Sequence, residues 1–276
     1  MDMTYFNAEK TRDNLVNWIR DWFDRNGKDK YAVIGISGGK DSTIVAALCA
    51  AAIGKDRVIG VLMPNGTQKD IGDSIAVCNA LGIKYIIVNI NAAYNAIGSE
   101  VDVNLAEKLN WTKGLSTQTT INLAPRLRMA TLYAVSQTIG GRVINTSNKS
   151  EYMTGYFTRW GDECGDCKPL INLTKNEVVA IGLTMPEIPR DLVEKAPSDG
   201  LTGQTDEDKI GFSYDALDTV IRGNVKGCPN PIDVLPQETL KKIQDRLDAV
   251  RFKTKPNPIE VFSNIEFTES QTIELN

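Results

Sequence analysis

Apolar residues occur along this chain in two alternating patterns, short continuous runs and longer stretches with helical spacing. The short runs are typical of buried strands, and the spaced stretches are typical of helices that cover a core. The first helical stretch runs from Leu15 to Phe23 and ends near Gly27. The predicted strands are 31–36, 57–63, 84–90 and 142–145. The later predicted helices are 41–53, 70–81, 91–110, 118–139, 174–183, 211–222 and 236–250.

The alternation of strands and helices predicts an α/β fold. Parallel strands joined through helices give an open sheet with helices on both faces, and we expect about five strands in a Rossmann-like arrangement. The polar, glycine-rich stretches 151–170 and 190–210 lack periodicity and are predicted to be loops. We expect a single domain over residues 1–255, including the N-terminal helix, and an irregular tail over residues 256–276.

The most informative segment joins the first strand to the next helix. A glycine-rich turn before a helix N-terminus presents backbone N–H groups to an anion, and the helix dipole favours negative charge there. The serine hydroxyls add donors, and Lys40 adds a positive charge. A carboxylate such as Asp41 beside a phosphate site is typical of a metal ligand. The candidate nucleotide-binding residues are Gly35, Ile36, Ser37, Gly38, Gly39, Lys40, Asp41 and Ser42.

Two other interpretations of this segment compete with the anion site described above. A Walker P-loop needs a glycine at the position of Ile34 and a serine or threonine at the position of Asp41, so the segment is not one. A tight turn without any ligand stays open as an alternative. A bound ligand is favoured, because the serines, glycines and aspartate of this segment provide more polar groups than a turn needs.

Composition narrows the chemistry further. The chain has no histidine, which excludes Ser-His-Asp and Cys-His catalysis and histidine-ligated zinc. A net charge of −4, from 31 basic and 35 acidic residues, gives no general nucleic-acid surface. No signal peptide is recognisable, and the longest apolar stretch, 44–53, is too short to span a bilayer. Five cysteines, an odd number, argue against a disulfide framework, so we expect a cytoplasmic protein.

A second group of polar residues follows the fourth predicted strand. Ligands of open parallel sheets bind beyond the carboxyl ends of the strands. If this strand lies beside the first, Thr146 and Glu151 emerge at the same edge as the glycine-rich turn. Asp41 and Glu151 would then hold one Mg²⁺ against phosphate oxygens. The alternative for Glu151 is a carboxylate that only begins a helix.

Several sequence blocks resemble known families. Ser-Gly-Gly-x-Asp-Ser after the first strand resembles the pyrophosphate loop of the N-type ATP-pyrophosphatases, which cut ATP between the α- and β-phosphates. Further blocks resemble the NAD synthetase family and keep its order from residue 10 to about residue 255. These blocks are 122–129 with Tyr133, 145–151, 154–162, 173–175, 195–198 and 206–208.

The resemblance implies a fold of the adenine nucleotide alpha-hydrolase type and a specific reaction. It implies ATP-dependent amidation of nicotinic acid adenine dinucleotide (deamido-NAD) to NAD, through an acyl-adenylate and with release of AMP and pyrophosphate. Glutamine-using relatives carry a separate amidase domain that this sequence does not show, so we expect free ammonia as the nitrogen donor. The substrates implied are therefore ATP, deamido-NAD and ammonia, with Mg²⁺ as cofactor.

The same resemblance assigns roles residue by residue. Asp41 and Glu151 match Mg²⁺ ligands, and Asp162 matches a carboxylate near which ammonia enters. With Asp162, the implied catalytic residues are Lys175 and Asp41. Beyond the glycine-rich turn, the implied ATP contacts are Thr146, Lys175 and Ser198. The implied deamido-NAD contacts are Arg126, Arg159, Asp166 and Lys253. Relatives are homodimers that share the site across the interface, so we expect a homodimer with 118–139 at its interface.

Two features depart from the family pattern or suggest other functions. Phe252 stands where the family often has histidine, so a ring that can stack remains while a hydrogen bond is lost. The Cys164-x-x-Cys167 pair would suit a tRNA thiolase, but the acidic chain does not suit RNA binding. The alternatives kept open are another adenylating amidotransferase, such a thiolase, and a non-catalytic module that binds adenylates.

Overall fold

The sheet of this protein is built from parallel strands. The strands are β1 (Tyr31–Gly35), β2 (Val58–Leu62), β3 (Lys84–Ile87) and β4 (Gly141–Val143). They come from a computed structural model that describes residues 3–68, 71–194 and 205–254. The order is β3-β2-β1-β4, and every pair of neighbours is parallel. The predicted α/β class is confirmed.

The expectation of about five strands is too high, because the described ranges contain four. One further segment runs beside β4 but forms only a single bridge, between Ile144 and Cys167. The Asn145 N–H donates to the Cys167 carbonyl at 2.8 Å. The Asn145 side chain then binds the carbonyl oxygens of Asp162 and Cys164. The chain therefore turns at Asn145 instead of continuing as a strand.

The longer helices begin and end within a few residues of the predicted limits. The short ones, α6, α8, α9 and α11, were not predicted, and the first three fall in stretches predicted to be loops. A helix of about five residues is too short to show a 3.6-residue period, so only its capping residues indicate it in the sequence. The helices are α1 (Ala8–Asn26), α2 (Lys40–Ile53), α3 (Ile71–Leu81), α4 (Asn91–Leu109), α5 (Thr117–Ile139), α6 (Lys149–Met153), α7 (Lys175–Gly182), α8 (Arg190–Glu194), α9 (Asp206–Ile210), α10 (Tyr214–Arg222), α11 (Pro231–Val234) and α12 (Gln237–Thr254).

Helices cover both faces of the sheet, as the strand pattern predicts. On one face Ile34 packs with Phe23 of α1 and Ile44 of α2 in the largest buried cluster. On the other face Val33 packs against Leu132 of α5. Successive residues of β1 thus point into two different cores, which explains why this strand reads as a continuous apolar run. The predicted tail 256–276 lies outside the described residues.

Helices α4 and α5 expose several apolar side chains at the surface of the chain. None of the 19 residues of α4 is buried within the chain, and α5 buries only Ser136. A helix of that length usually buries one face. The exposed apolar side chains of this surface, here called the α4–α5 face, include Ile97, Val101, Val103, Leu109, Trp111 and Ile121.

The sheet order brings two loops to one edge. Because β4 pairs with β1 in parallel, the residues after Gly35 and those after Val143 leave the sheet side by side. The first loop leads into α2 and the second into α6. Among the helices in the described ranges, none combines the length and apolarity needed to cross a membrane.

Candidate active site

The turn after β1 has the geometry of an anion site. Gly38 has a φ of +79°, which favours glycine, and an added Cβ would lie 3.0 Å from the Asp73 Cβ. Ser37 Oγ and Ser42 Oγ are 3.2 Å apart, and the Gly39 N–H donates to Ser37 Oγ. No side chain caps the first turn of α2. Backbone N–H groups at that helix start are therefore available to a phosphate.

Three charged residues from α2, α6 and α7 meet beside this turn. Lys175 Nζ lies 2.5 Å from Asp41 Oδ2 and 3.1 Å from Glu151 Oε1. The lysine side chain is 6% exposed and the two carboxylate side chains are 17% and 18% exposed. Asn148 joins the same group, since its side-chain amide donates to Asp41 Oδ1 and its N–H donates to Glu151 Oε2. The structure thus brings the predicted carboxylate pair together with the predicted Lys175, and these three residues are here called the cation cluster.

When both carboxylates are ionised, the cation cluster carries one negative charge in excess. Burial raises the pKa of Glu151 to about 7, and repulsion by Asp41 adds to the effect of burial. Burial alone would lower the pKa of Lys175, but attraction by Asp41 and Glu151 raises it well above its ordinary value. The lysine therefore stays charged, and the carboxylate pair retains affinity for a further positive charge. The Tyr214 ring, whose centroid lies 5.5 Å from Lys175 Nζ, borders the lysine ammonium.

The backbone at Lys175 is fixed by a buried carboxylate. Ser150 Oγ donates to Asp218 Oδ1 at 2.5 Å and accepts from the Lys175 N–H at 2.9 Å. Asp218 Oδ2 accepts from the Asn176 N–H at 3.0 Å. Asp218 is fully buried, and burial raises its pKa to about 6. This contact chain sets Glu151, which follows Ser150, against the start of α7.

A second buried ion pair supports the start of α7 from behind. Arg222 donates through Nε to Glu177 Oε1 at 2.7 Å and through Nη2 to Glu177 Oε2 at 2.5 Å. The Glu177 side chain is 2% exposed. It also accepts from the Thr174 N–H at 2.8 Å and from the Tyr5 hydroxyl at 3.3 Å. Four donors on one carboxylate hold the first turn of α7 in place.

The predicted metal ligands suit one divalent cation bound together with a nucleotide. Within the described ranges no group of three or more acidic or thiol side chains forms a complete metal cage. Asp41 and Glu151 nevertheless approach one ammonium together, so a single cation can contact both. Mg²⁺ is often held by one or two carboxylates while phosphate oxygens and water complete its shell. The donor set therefore fits Mg²⁺ with ATP.

The loop after α6 is bound to α12 through its carbonyl oxygens. Arg246 Nε donates to the Thr154 carbonyl at 2.8 Å. Lys253 Nζ donates to the carbonyls of Gly155 and Phe157, each at 2.9 Å. Lys253 was predicted to contact deamido-NAD, but in this structure its ammonium binds the loop. Lys253 therefore shapes the loop, and its contact with the dinucleotide stays a prediction.

The same loop binds the last carbonyls of α12 in return. Arg159 Nη2 donates to the Phe252 carbonyl at 2.9 Å, and the Tyr152 hydroxyl donates to the Thr254 carbonyl at 3.1 Å. The Arg159 guanidinium lies over the rings of Phe252 and Trp160, at 5.4 and 5.8 Å from their centroids. Carbonyls at a helix C-terminus lack helical partners, so these side chains cap α12. Phe252 thus stacks with the guanidinium of Arg159.

The other residues predicted to bind the dinucleotide lie in two places. Arg126 is exposed on α5, and its Nε donates to the Arg159 carbonyl at 3.3 Å. Asp166 lies instead beside β4, where it accepts from the Val143 N–H at 2.8 Å and the Tyr133 hydroxyl at 3.2 Å. Asp166 lines a cavity of about 390 Å³. No hydrogen bond or ion pair in the described residues joins Asp166 to either arginine.

Asp162, which the family resemblance matches to a carboxylate beside the entering ammonia, is exposed in this structure. Its Oδ1 accepts from the Thr158 N–H at 2.9 Å. The protein atoms crowded around the carboxyl group raise its pKa by desolvation, while the Thr158 bond and the charge of Lys253 lower it. Arg128 of α5 lies near enough for its charge to interact with Asp162. The carboxylate is therefore held by the backbone of its own loop while its residue is exposed.

Two predicted ATP contacts and the cysteine pair complete the comparison with the sequence. Thr146 is half-buried after β4, and Ser198 lies outside the described residues. Burial raises the pKa of Cys164, and it raises that of Cys167 to about 12. A thiol with so high a pKa is a poor nucleophile. The geometry gives no support to thiol chemistry at this pair.

Sequence reasoning missed four residues of the site, Asn148, Ser150, Tyr214 and Asp218. Asn148 was open to detection, because Asn148-x-x-Glu151 is a capping box in which each side chain binds the other's N–H. The other three carry no local signal. Tyr214 and Asp218 reach the site from α10, which is distant in sequence, and Ser150 takes part through its hydroxyl group.

Comparisons with known proteins agree with one another. The profile of the NAD synthase family matches residues 11–257. An NH(3)-dependent NAD(+) synthetase from Pyrococcus furiosus is 43% identical over 220 residues, which are 79% of each chain. A structure of NMN synthetase from Francisella tularensis is 31% identical, with a TM-score of 0.77, over 94% of this chain and all of that one. An NH3-dependent NAD synthetase from Campylobacter jejuni is 25% identical, with a TM-score of 0.73, over the same shares.

Proposed function

This chain belongs to the NAD synthase family and makes NAD with ammonia and ATP, and we propose that it does so through an acyl-adenylate of deamido-NAD. The observation that carries the proposal is the cation cluster, in which Asp41, Glu151 and Lys175 meet beside the anion site. A phosphate site joined to a carboxylate pair and a lysine is suited to cleaving a triphosphate. A simple adenylate sensor does not need the carboxylate pair.

In the first half-reaction the nicotinate carboxylate attacks the α-phosphate of ATP and pyrophosphate leaves. The turn 37–42 binds the phosphates through backbone N–H groups and serine hydroxyls, and Lys175 offers its ammonium to the developing charge. Asp41 and Glu151 would hold Mg²⁺, which when bound neutralises phosphate charge and stabilises the departing pyrophosphate. Asn148 keeps both carboxylates aimed at the same point.

In the second half-reaction ammonia attacks the acyl-adenylate and AMP leaves. Asp162 is exposed and is the carboxylate that we assign to ammonia. It would attract ammonium from solution and accept its proton, so that neutral ammonia reaches the acyl carbon. Thr158 holds the carboxylate in the required orientation through its N–H. Arg126 and Arg159, with Asp166 and Lys253, are proposed contacts of the dinucleotide.

A second candidate substrate follows from the likeness to the NMN synthetase of Francisella tularensis. That protein and this chain share one fold over nearly their whole lengths. The corresponding substrate would be the mononucleotide of nicotinic acid. The dinucleotide is preferred here because curated relatives that are 36 to 43% identical are NH(3)-dependent NAD(+) synthetases. Assays should offer both acids at equal concentration.

We also propose that two copies of the chain join through the α4–α5 face. Arg126 lies on α5, so an interface on that helix would place it near the partner copy. The exposed apolar residues of α4 and α5 support this assembly, since large exposed apolar patches usually mark interaction sites. A cytoplasmic location is proposed because all five cysteines are free thiols.

The proposed chemistry is tested by measuring pyrophosphate, AMP and NAD together. Purified protein should form all three in equal amounts from ATP, deamido-NAD and ammonium, and little NAD from glutamine freed of ammonia. Asp41→Ala and Glu151→Gln should each abolish pyrophosphate release without unfolding the protein. Lys242→Met, which removes an exposed partner of Glu238, serves as the control. Full turnover in Asp41→Ala at ordinary Mg²⁺ would disprove the assignment of the metal.

A further inference from the structure

A buried ammonium already occupies the pair of carboxylates that would bind the metal. Lys175 Nζ contacts one oxygen of Asp41 and one of Glu151 at hydrogen-bond distance. Such short contacts between ionised groups are the strong, charge-assisted kind. The remaining oxygens of both carboxylates accept from Asn148. A divalent cation between the same carboxylates would therefore press directly against the lysine ammonium.

Only the side chain of the lysine is free to move aside. The Lys175 N–H is bound to Ser150 Oγ, and the next N–H is bound to Asp218. Arg222 and Glu177 hold the rest of the first turn of α7. A change in the cluster must therefore come from rotation of the long lysine side chain, not from a shift of the helix.

The surroundings offer two destinations for the ammonium. The Tyr214 ring already borders it at 5.5 Å and can accept a cation on its face. The second destination is the anion site, which lies close by because Asp41 belongs to the first turn of α2. A bound triphosphate would bring several negative charges there and attract the ammonium away from the carboxylates.

We propose that Lys175 is a resident counter-cation that keeps divalent metal out of the carboxylate pair until ATP binds. Without nucleotide the ammonium neutralises one carboxylate and repels a second cation. With nucleotide the ammonium turns to the phosphates, and the metal enters between Asp41 and Glu151. This inference rests on the proposed metal assignment. It predicts that metal and nucleotide bind together, while metal alone binds weakly.

The test measures binding of Mn²⁺, a probe for Mg²⁺, by electron paramagnetic resonance in the absence of nucleotide. Lys175→Met keeps the length of the side chain and removes its charge, so Mn²⁺ should bind at least tenfold more tightly than to wild type. Lys175→Gln should show the same direction and guards against a folding defect in the first variant. Lys242→Met removes an exposed lysine of α12 and should leave Mn²⁺ binding unchanged. Near-ultraviolet circular dichroism verifies that each variant is folded.

A double variant separates this inference from the metal assignment. If the tighter binding in Lys175→Met disappears in Lys175→Met/Glu151→Gln, the competition occurs at the carboxylate pair, as proposed. If folded Lys175→Met and Lys175→Gln bind Mn²⁺ no better than wild type, or the gain survives the double change, the counter-cation role is wrong. The metal assignment is judged separately, with Mn²⁺ and a non-hydrolysable ATP analogue: Glu151→Gln should weaken that binding, and unchanged binding would refute the assignment.

Discussion

Removing the arginine that supports α7 tests how much of the site depends on one ion pair. Arg222→Met keeps most of the aliphatic length but leaves the Glu177 carboxylate, 2% exposed, without its cationic partner. Breaking a buried pair from one side costs about 3 to 5 kcal/mol. Glu177 would still accept from Thr174 and Tyr5, so we expect the lower end, a loss of about 3 kcal/mol in the free energy of unfolding.

The measurement is urea unfolding followed by tryptophan fluorescence at pH 7 and one fixed protein concentration. Arg251→Met is the matched control, because its partner Asp248 lies at 2.6 Å but both side chains are at least half exposed. Such a surface pair contributes about 0 to 1 kcal/mol, so the control should change stability little. Because Arg222 supports the helix start that carries Lys175, Arg222→Met should also raise the KM for ATP.

A double variant shows whether the loss comes from the stranded charge. Glu177→Gln removes that charge and keeps an acceptor for the Thr174 N–H. Arg222→Met/Glu177→Gln should therefore lose about 1 to 2 kcal/mol less than the sum of the two single changes. If Arg222→Met unfolds at the same urea concentration as Arg251→Met, or if the two losses simply add, the buried pair does not support α7 as described.

Three further predictions concern Asp162, the buried carboxylate of Asp218 and the phosphate turn. Asp162→Asn should spare pyrophosphate release more than NAD formation, with the gap narrowing at high pH where free ammonia is abundant; a parallel fall of both at every pH would contradict this. Burial raises the pKa of Asp218 to about 6, so the folded state binds a proton more tightly than the unfolded state does. The contribution of Asp218 to the free energy of unfolding therefore falls as the pH rises from about 4 to 6. Relative to Asp218→Asn, wild type should thus lose about 3 kcal/mol of unfolding free energy over that window, and parallel curves would refute the assignment. Gly38→Ala should weaken ATP binding and cost about 1 to 3 kcal/mol, because its φ is +79° and its Cβ would crowd Asp73, whereas Gly72→Ala, which meets nothing within 4 Å, should not destabilise.

The sequence predicted the sheet and the phosphate turn because both have local signals. Apolar runs mark β1 and β2, and the glycines and serines after Gly35 mark the turn. The meeting of Asp41, Glu151 and Lys175 was not evident from spacing, since their closeness depends on β4 lying beside β1 and on the packing of α7. The pairing of Asp41 with Glu151 was expected on the condition that the fourth strand lies beside the first, whereas Lys175 was expected only through the family resemblance.

The missed residues act through tertiary contacts alone. Asp218 lies in the middle of an ordinary amphipathic helix, and nothing near it in sequence suggests a bond to Ser150. Lys253 illustrates the same limit, since its bonds to the carbonyls of Gly155 and Phe157 have no signal in the sequence, while its contact with the dinucleotide stays a prediction. Spacing along a chain cannot tell whether a cation faces a substrate or the protein's own backbone.

The reciprocal bonds between α12 and the loop 154–159 have a consequence for biosynthesis. The loop's carbonyls are bound by Arg246 and Lys253, roughly a hundred residues later in the chain. A nascent chain on the ribosome can form the sheet as soon as β4 has emerged, because domains begin to fold during synthesis. It cannot shape the loop that carries Arg159 until α12 has followed. The loop that carries Arg159 is therefore completed only after α12 has emerged, when most of the core is already in place.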